Sequence, residues 1–255
     1  MHDEESLVSY LAAGGRLDSP DNTFPRYRSE LMRVMAMFVD SEMAGASGFA
    51  DCINLAPGLK ERIVATRIVL DKFCHAEKVL KLMEPFGANT EHYVTAHPWA
   101  ARLDRSVDLG SRRIEGDMRL NVFHYPIYGW VDSVVMNFLM GRASVIQLDE
   151  FTRCSYQPLA DAMLEILPVE KGHAELAEAG LRQTLAGGYD LTAAQASVNY
   201  WYPRVAATFR PNSSGRVEVY RQYGLRQHSN EELLARWQAE IAPGLGMLGL
   251  QIPEY

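Results

Sequence analysis

The chain runs to 255 residues, of which 47% are apolar and 22% charged, with a formal net charge of −7. This suits a globular chain with a sizeable core and argues against nucleic acid as a partner, because neutralising phosphates needs clustered cations. The three scattered cysteines (Cys52, Cys74 and Cys154) make no disulfide framework, the opening Met1-His2-Asp3-Glu4-Glu5 is acidic where a signal peptide is basic, and no stretch approaches the roughly 20 apolar residues of a membrane span. No membrane association is expected, and a reducing, cytoplasmic setting fits best.

Residues 4–13 read as a short amphipathic helix stopped by Gly14-Gly15, and Asp18 to Asn22 as a loop. From about Arg26 to Ile53, Leu31, Val34, Met35, Phe38, Val39 and Met43 recur at three- and four-residue steps, the pattern of a long helix. Pro57-Gly58 ends it. A second helix is expected from about Leu59 to Pro85, with Ile63, Ile68, Val69, Phe73, Val79 and Leu82 as apolar positions and Gly87 closing it. Residues 88–125 are irregular, as in a crossover with short helices. A third long helix is expected over Ile127–Thr152 and a fourth over Gln157–Leu185, where Pro168 should kink the helix or mark a break. Asp190 is placed to cap a helix over Leu191–Phe209. Pro211 to Gly215 reads as a loop, and a last helix falls near Glu231–Ile241.

No run alternates with period two between turns, so the fold class is all-α. Two short words sit on the second member of each pair of long helices: Lys72-Phe73-Cys74-His75 and Glu170-Lys171-Gly172-His173. Glu-x-x-His presents a carboxylate and an imidazole from one helical face, and two pairs of helices joined by one long crossover match a ferritin-like four-helix bundle. One domain over 1–255 is expected, with the bundle core at about 26–187 and a C-terminal helical extension at about 188–255. Glu42, on an otherwise apolar helix, is the natural lone carboxylate, since an unpaired buried Glu needs a metal or a cation. Asp71 and His75 offer another pair at i, i+4. Cys74 is expected to be a buried thiol, Met136, Phe138 and Met140 core, and Asp132 and Asp149 solvent-facing. Lys60, Arg62, Arg67, Arg112 and Arg113 either meet phosphates or lie on solvated faces.

The surrounding text resembles the catalytic-subunit branch of the ring-1,2-phenylacetyl-CoA epoxidases. The resemblance is carried by Ile53 to Arg62 (INLAPGLKER), Phe138-Leu139-Met140-Gly141-Arg142-Ala143, Gln147-Leu148, Ser155-Tyr156 and Glu170-Lys171-Gly172-His173. It continues through Trp201-Tyr202-Pro203-Arg204, Tyr223 to Gln227 and Asn230-Glu231-Glu232. It implies a subunit of a multicomponent oxygenase of phenylacetate catabolism, acting on an acyl-CoA substrate. The partners it implies are a reductase and a related ferritin-like subunit, in a homo- or hetero-oligomeric assembly. It also implies two irons, with Glu42, His75, Glu170 and His173 at ligand positions. Lys72 falls where the family has a bridging Glu, and Gly141 where it has a carboxylate of the third helix. Two ferrous ions bring four positive charges against two glutamates, so an ordinary di-iron centre is not expected. The alternatives are one iron or manganese on Glu42, His75 and Glu170, or no metal, with Lys72 bridging Glu42 and Glu170 in a non-catalytic assembly subunit.

Overall fold

The computed structural model describes residues 4–110, 112–114, 116–209 and 215–254. Most of the loop expected at 211–215 therefore lies outside the described residues, as do Met1, His2 and Asp3 of the acidic opening. The described chain is helical and contains no strands; Leu17 and Tyr156 form one isolated bridge. Its helices, in chain order, are α1 (Glu4–Ala12), α2 (Pro25–Ala50), α3 (Leu59–Met83), α4 (Thr90–Tyr93), α5 (Gly129–Phe151), α6 (Gln157–Ala186), α7 (Leu191–Ala206), α8 (Arg216–Gln222) and α9 (Asn230–Met247). The architecture is an all-α, ferritin-like bundle. α2 packs on α3 and α5 on α6, while α7 and α9 lie along α5.

The ends of these helices follow from local chemistry. α2 starts with Pro25 in its first turn, where a missing amide leaves no bond unmade. Asp190 accepts from the Thr192 amide and caps α7. A capping box of Ser229 and Glu232 starts α9. Gly87, at φ +93°, ends the turn after α3 in a left-handed conformation that favours glycine.

α6 does not break at Pro168, which is exposed within one continuous helix. The carbonyl that Pro168 leaves without a donor belongs to Leu164, itself 56% exposed, so water can satisfy it. α9 likewise runs past the expected end at Ile241, because Pro243 faces outward while Gly244 and Leu245 stay buried.

Two apolar clusters fill the interior. One gathers Trp201, Trp237, Phe138 and Leu139 with Phe49 and Ile68. The other gathers Tyr27, Leu31 and Met35 with Val79, Leu159 and Met163. Met136, Phe138 and Met140 are core, as expected. Along α2 the second cluster ends at Val39 and the first begins at Ala46; along α6 the change falls between Leu167 and Ala177. The seam between the clusters is where the polar residues of interest lie.

Three expectations fail in instructive ways. Cys74 is exposed, because the core face of α3 passes through His75 and Ala76 and turns their neighbour outward. Ile63 and Phe73 are 56% and 37% exposed for the same reason. Asp132 is buried at 4% exposure: it accepts from the Tyr128 amide and Trp201 Nε1, each at 2.8 Å, and pairs with Arg105. Asp149 does stay near the surface, paired with Arg153 at 2.8 Å.

Candidate functional site

Three helices deliver one polar cluster to the seam. Glu42 comes from α2, Lys72 and His75 from α3, and Glu170 and His173 from α6. Lys72 and His75 share a face of α3 because residues three apart project together, and Glu170 and His173 do the same on α6. Glu42, His75, Glu170 and His173 are 6%, 6%, 1% and 7% exposed. The crossover seals the α2 side: Asp40 accepts from Tyr93 Oη and the Met118 amide, and Ser41 Oγ accepts from the Leu120 amide.

Lys72 Nζ sits at the centre. It lies 3.3 and 3.5 Å from the two carboxylate oxygens of Glu42, and 3.2 Å from each of those of Glu170. His75 Nδ1 donates to Glu170 Oε1 at 3.0 Å and stands 3.7 Å from Glu42 Oε2. Burial works against charge on Lys72, but the carboxylates of Glu170 and Glu42 outweigh it and raise its pKa above the ordinary lysine value. Burial also opposes charge on His75, yet the hydrogen bonds and charges of Glu170 and Glu42 raise its pKa to about 9. Glu170 is pushed up by burial, and pulled down further by Lys72 and the two imidazoles, so its carboxyl stays well below the usual range. Two cationic side chains, Lys72 and His75, thus face Glu42 and Glu170.

His173 meets the cluster from the side. Its Nδ1 lies 3.3 Å from Glu170 Oε1, close enough for a charge contact, but makes no hydrogen bond among the described residues. Its Nε2 is 3.0 Å from Asp71 Oδ2. Asp71 therefore partners His173 rather than His75, fixing that ring from α3. The sequence signal for this was weak: only the position of Asp71 one residue before Lys72, on the side of α3 that turns toward α6.

These residues do not fit a pair of irons. The ammonium of Lys72 fills the space between the carboxylates of Glu42 and Glu170, two of the residues that would hold the metal. Gly141 supplies no ligand, and a Cβ there would come 3.3 Å from Ala174 Cα and 3.4 Å from its Cβ, so α5 and α6 touch where a side chain would need room. Glu42, His75 and Glu170 nevertheless form a buried triad whose donor atoms all lie within 4.8 Å of one another. Beside the cluster is a cavity of about 40 Å³, lined by Lys72, Gly141, Ser144, Glu170 and His173 among others.

Of the cations that the sequence offered for phosphates, Arg62 donates to Asn54 O, Arg112 to Asp108 O and Arg113 to Met118 O; none of the five lines this cavity. No helix among the described residues is long and apolar enough to cross a membrane.

Comparison with known proteins agrees with the resemblance read from the sequence. One of the subunits of the 1,2-phenylacetyl-CoA epoxidase of Escherichia coli (strain K12) is 24% identical over 259 residues, an alignment that covers 100% of this chain and 78% of the relative. The sequence profile of the phenylacetic acid catabolic proteins matches residues 16–255. The chain belongs to the phenylacetic acid catabolic protein family.

Proposed function

We propose that this chain is a phenylacetyl-CoA epoxidase-like subunit of a multicomponent oxygenase of phenylacetate degradation, in which the Lys72 ammonium takes the di-iron position and the bundle serves assembly rather than catalysis. One observation carries the reading: a single ammonium within 3.2–3.5 Å of all four carboxylate oxygens of Glu42 and Glu170. Such a centre is neutralised without metal, and a protonated lysine repels any cation that approaches it. The adjoining cavity of about 40 Å³ supports the same conclusion, since apolar cavities that take a benzene ring are on the order of 150 Å³. In this reading the chain is one ferritin-like domain in the cytoplasm, its three thiols unpaired. It works as a homo- or hetero-oligomer, beside a related subunit that handles the acyl-CoA and receives electrons from a reductase.

Metal analysis of protein produced with excess iron tests this directly. Well below one metal per chain is expected, and roughly two would overturn the reading. The variant Lys72→Glu restores one Glu-x-x-His and removes the repelling charge, so it should take up iron where the parent does not. If it takes up none, the assignment of Lys72 to the metal position is wrong. A second reading, one iron or manganese on Glu42, His75 and Glu170, is favoured by the compactness of that triad. Stoichiometric binding of Mn(II) by the parent, followed by electron paramagnetic resonance, would select it.

A further inference from the structure

Away from this cluster, one pocket collects arginines from separate parts of the chain. Arg33 on α2, Arg113 and Arg119 on the crossover, Arg216 on α8 and Arg226 in the turn that follows all line a cavity of about 120 Å³. This convergence runs against the field of a chain whose net charge is −7. The carboxylates at hand do not satisfy it. Arg119 is buried and paired with Asp117 at 2.7 Å. Glu30 Oε2 is shared between Arg33 Nε at 3.7 Å and Arg216 Nε at 3.4 Å, and hydrogen-bonds to neither. Glu150 gives its oxygens to the amides of Gln227 and His228 and to the His228 ring and Arg153.

Two guanidinium groups are left over. Among the described residues, Arg113 reaches only the Met118 carbonyl and the sulfurs of Met118 and Met37. Arg226 makes no side-chain hydrogen bond or ion pair among the described residues. Burial lowers the pKa of both; at Arg113 Tyr220 opposes this while Arg33 and Arg216 add repulsion, and at Arg226 Glu150, Tyr220 and Glu231 offset part of it. A buried group in the pocket also lacks a partner: Asn230 is 6% exposed, and its Oδ1 position has none among the described residues. Because oxygen and nitrogen of an amide exchange by a simple flip, the same side chain can present its NH2 there.

We propose that this pocket binds a phosphate or diphosphate group, whose oxygens supply the acceptors that Arg33, Arg113, Arg216, Arg226 and Asn230 lack. The planar forks of several guanidinium groups suit the oxygens of a dianion, which they can hold in pairs. The pocket, open on one side, has room for the phosphate end of a ligand and leaves anything larger outside. This site is separate from the Lys72 cluster and stands whichever reading of that cluster holds.

The test titrates the full chain by calorimetry and thermal shift with inorganic phosphate, pyrophosphate and adenosine diphosphate, against sodium chloride at matched ionic strength. Saturable binding of at least one phosphate compound is expected, with a rise in Tm that chloride does not reproduce. Tighter binding of adenosine diphosphate than of pyrophosphate assigns the site to a phosphate ester, and the reverse order to a free anion. Arg113→Gln with Arg226→Gln should weaken binding roughly tenfold or more, whereas the exposed Arg67→Gln should leave it unchanged. Should the double variant fail to fold, Arg226→Gln alone serves, because among the described residues its side chain has no hydrogen bond or ion pair to lose. A response no larger than that of chloride, or one undiminished in these variants, overturns the proposal.

Discussion

An ammonium between two buried carboxylates is stabilised only while all three groups are present. Replacing Lys72 by methionine keeps most of the volume but leaves Glu42 and Glu170 facing each other across the seam, each less than a tenth exposed. Breaking a buried ion pair by removing one partner typically costs about 3–5 kcal/mol, and urea unfolding of Lys72→Met should show a loss of that size. A loss under about 1 kcal/mol would mean that the carboxylates already reach water. Glu150 gives the second prediction at this scale. Burial pushes its pKa up, but the amides of Gln227 and His228 and the His228 ring prevail and hold it below the ordinary value of 4.5. A carboxyl depressed on folding contributes stability that is fully present above its unfolded value and is lost as pH falls through its folded one. Glu150→Gln should therefore lose about 1–3 kcal/mol at pH 7, and the loss should shrink below pH 4.5, as Tm measured against pH would show; a gap that stays constant down to pH 3 would count against this account. Residues such as Glu42, Lys72 and Glu170 could be read from the chain because helical spacing puts each of them on a face with a definite partner. Asp132 could not, since what buries it (Arg105 and Trp201) is remote in sequence.

The contact of α5 with α6 at Gly141 links the missing ligand to packing between elements. With Ala174 Cα only 3.3 Å from a Cβ built at Gly141, a branched side chain there must push two core helices apart. Overpacking of this kind typically costs about 1–3 kcal/mol. Gly141→Val is expected to lose that much, and part of it should return in the double variant with Ala174→Gly, since neighbouring sites couple. Full additivity of the two changes in denaturant unfolding would show that α5 and α6 do not meet there. The four long helices were legible in the sequence to within a few residues, because each carries a sustained apolar stripe. α8 was not: its seven residues include Val217 and Val219 and bury no side chain fully, so no stripe announces it. The reach of α9 past Pro243 was hidden too. Only the packing of Gly244 and Leu245 reveals that the proline sits on the solvent face, with Phe138 Cζ 3.0 Å from a Cβ built at Gly244.

At the scale of the whole molecule, a charged layer divides two apolar clusters, and the division raises the question of whether they unfold as one unit. The cysteines answer it, because Cys52 belongs to one cluster and Cys154 to the other, while Cys74 is exposed. Burial pushes the thiols of Cys52 and Cys154 up to about 12, so neither offers thiolate to a reagent until it is exposed by opening. A maleimide should therefore modify Cys74 alone in the native chain and all three thiols in urea, as counted by mass spectrometry. The slow labelling of Cys52 and Cys154 then measures the opening of each cluster separately. Lys72, His75 and Glu170 tie α3 to α6, and Lys72 ties both to α2, at the level where one cluster gives way to the other. Opening either side strips partners from those buried charges, so the two thiols should label at the same rate under slow-opening conditions. Rates more than roughly tenfold apart, equivalent to about 1.4 kcal/mol between the two openings, would mean that the charged layer separates two cooperative units instead of joining them. In Lys72→Met, where the layer has lost its central cation, the two rates should rise together.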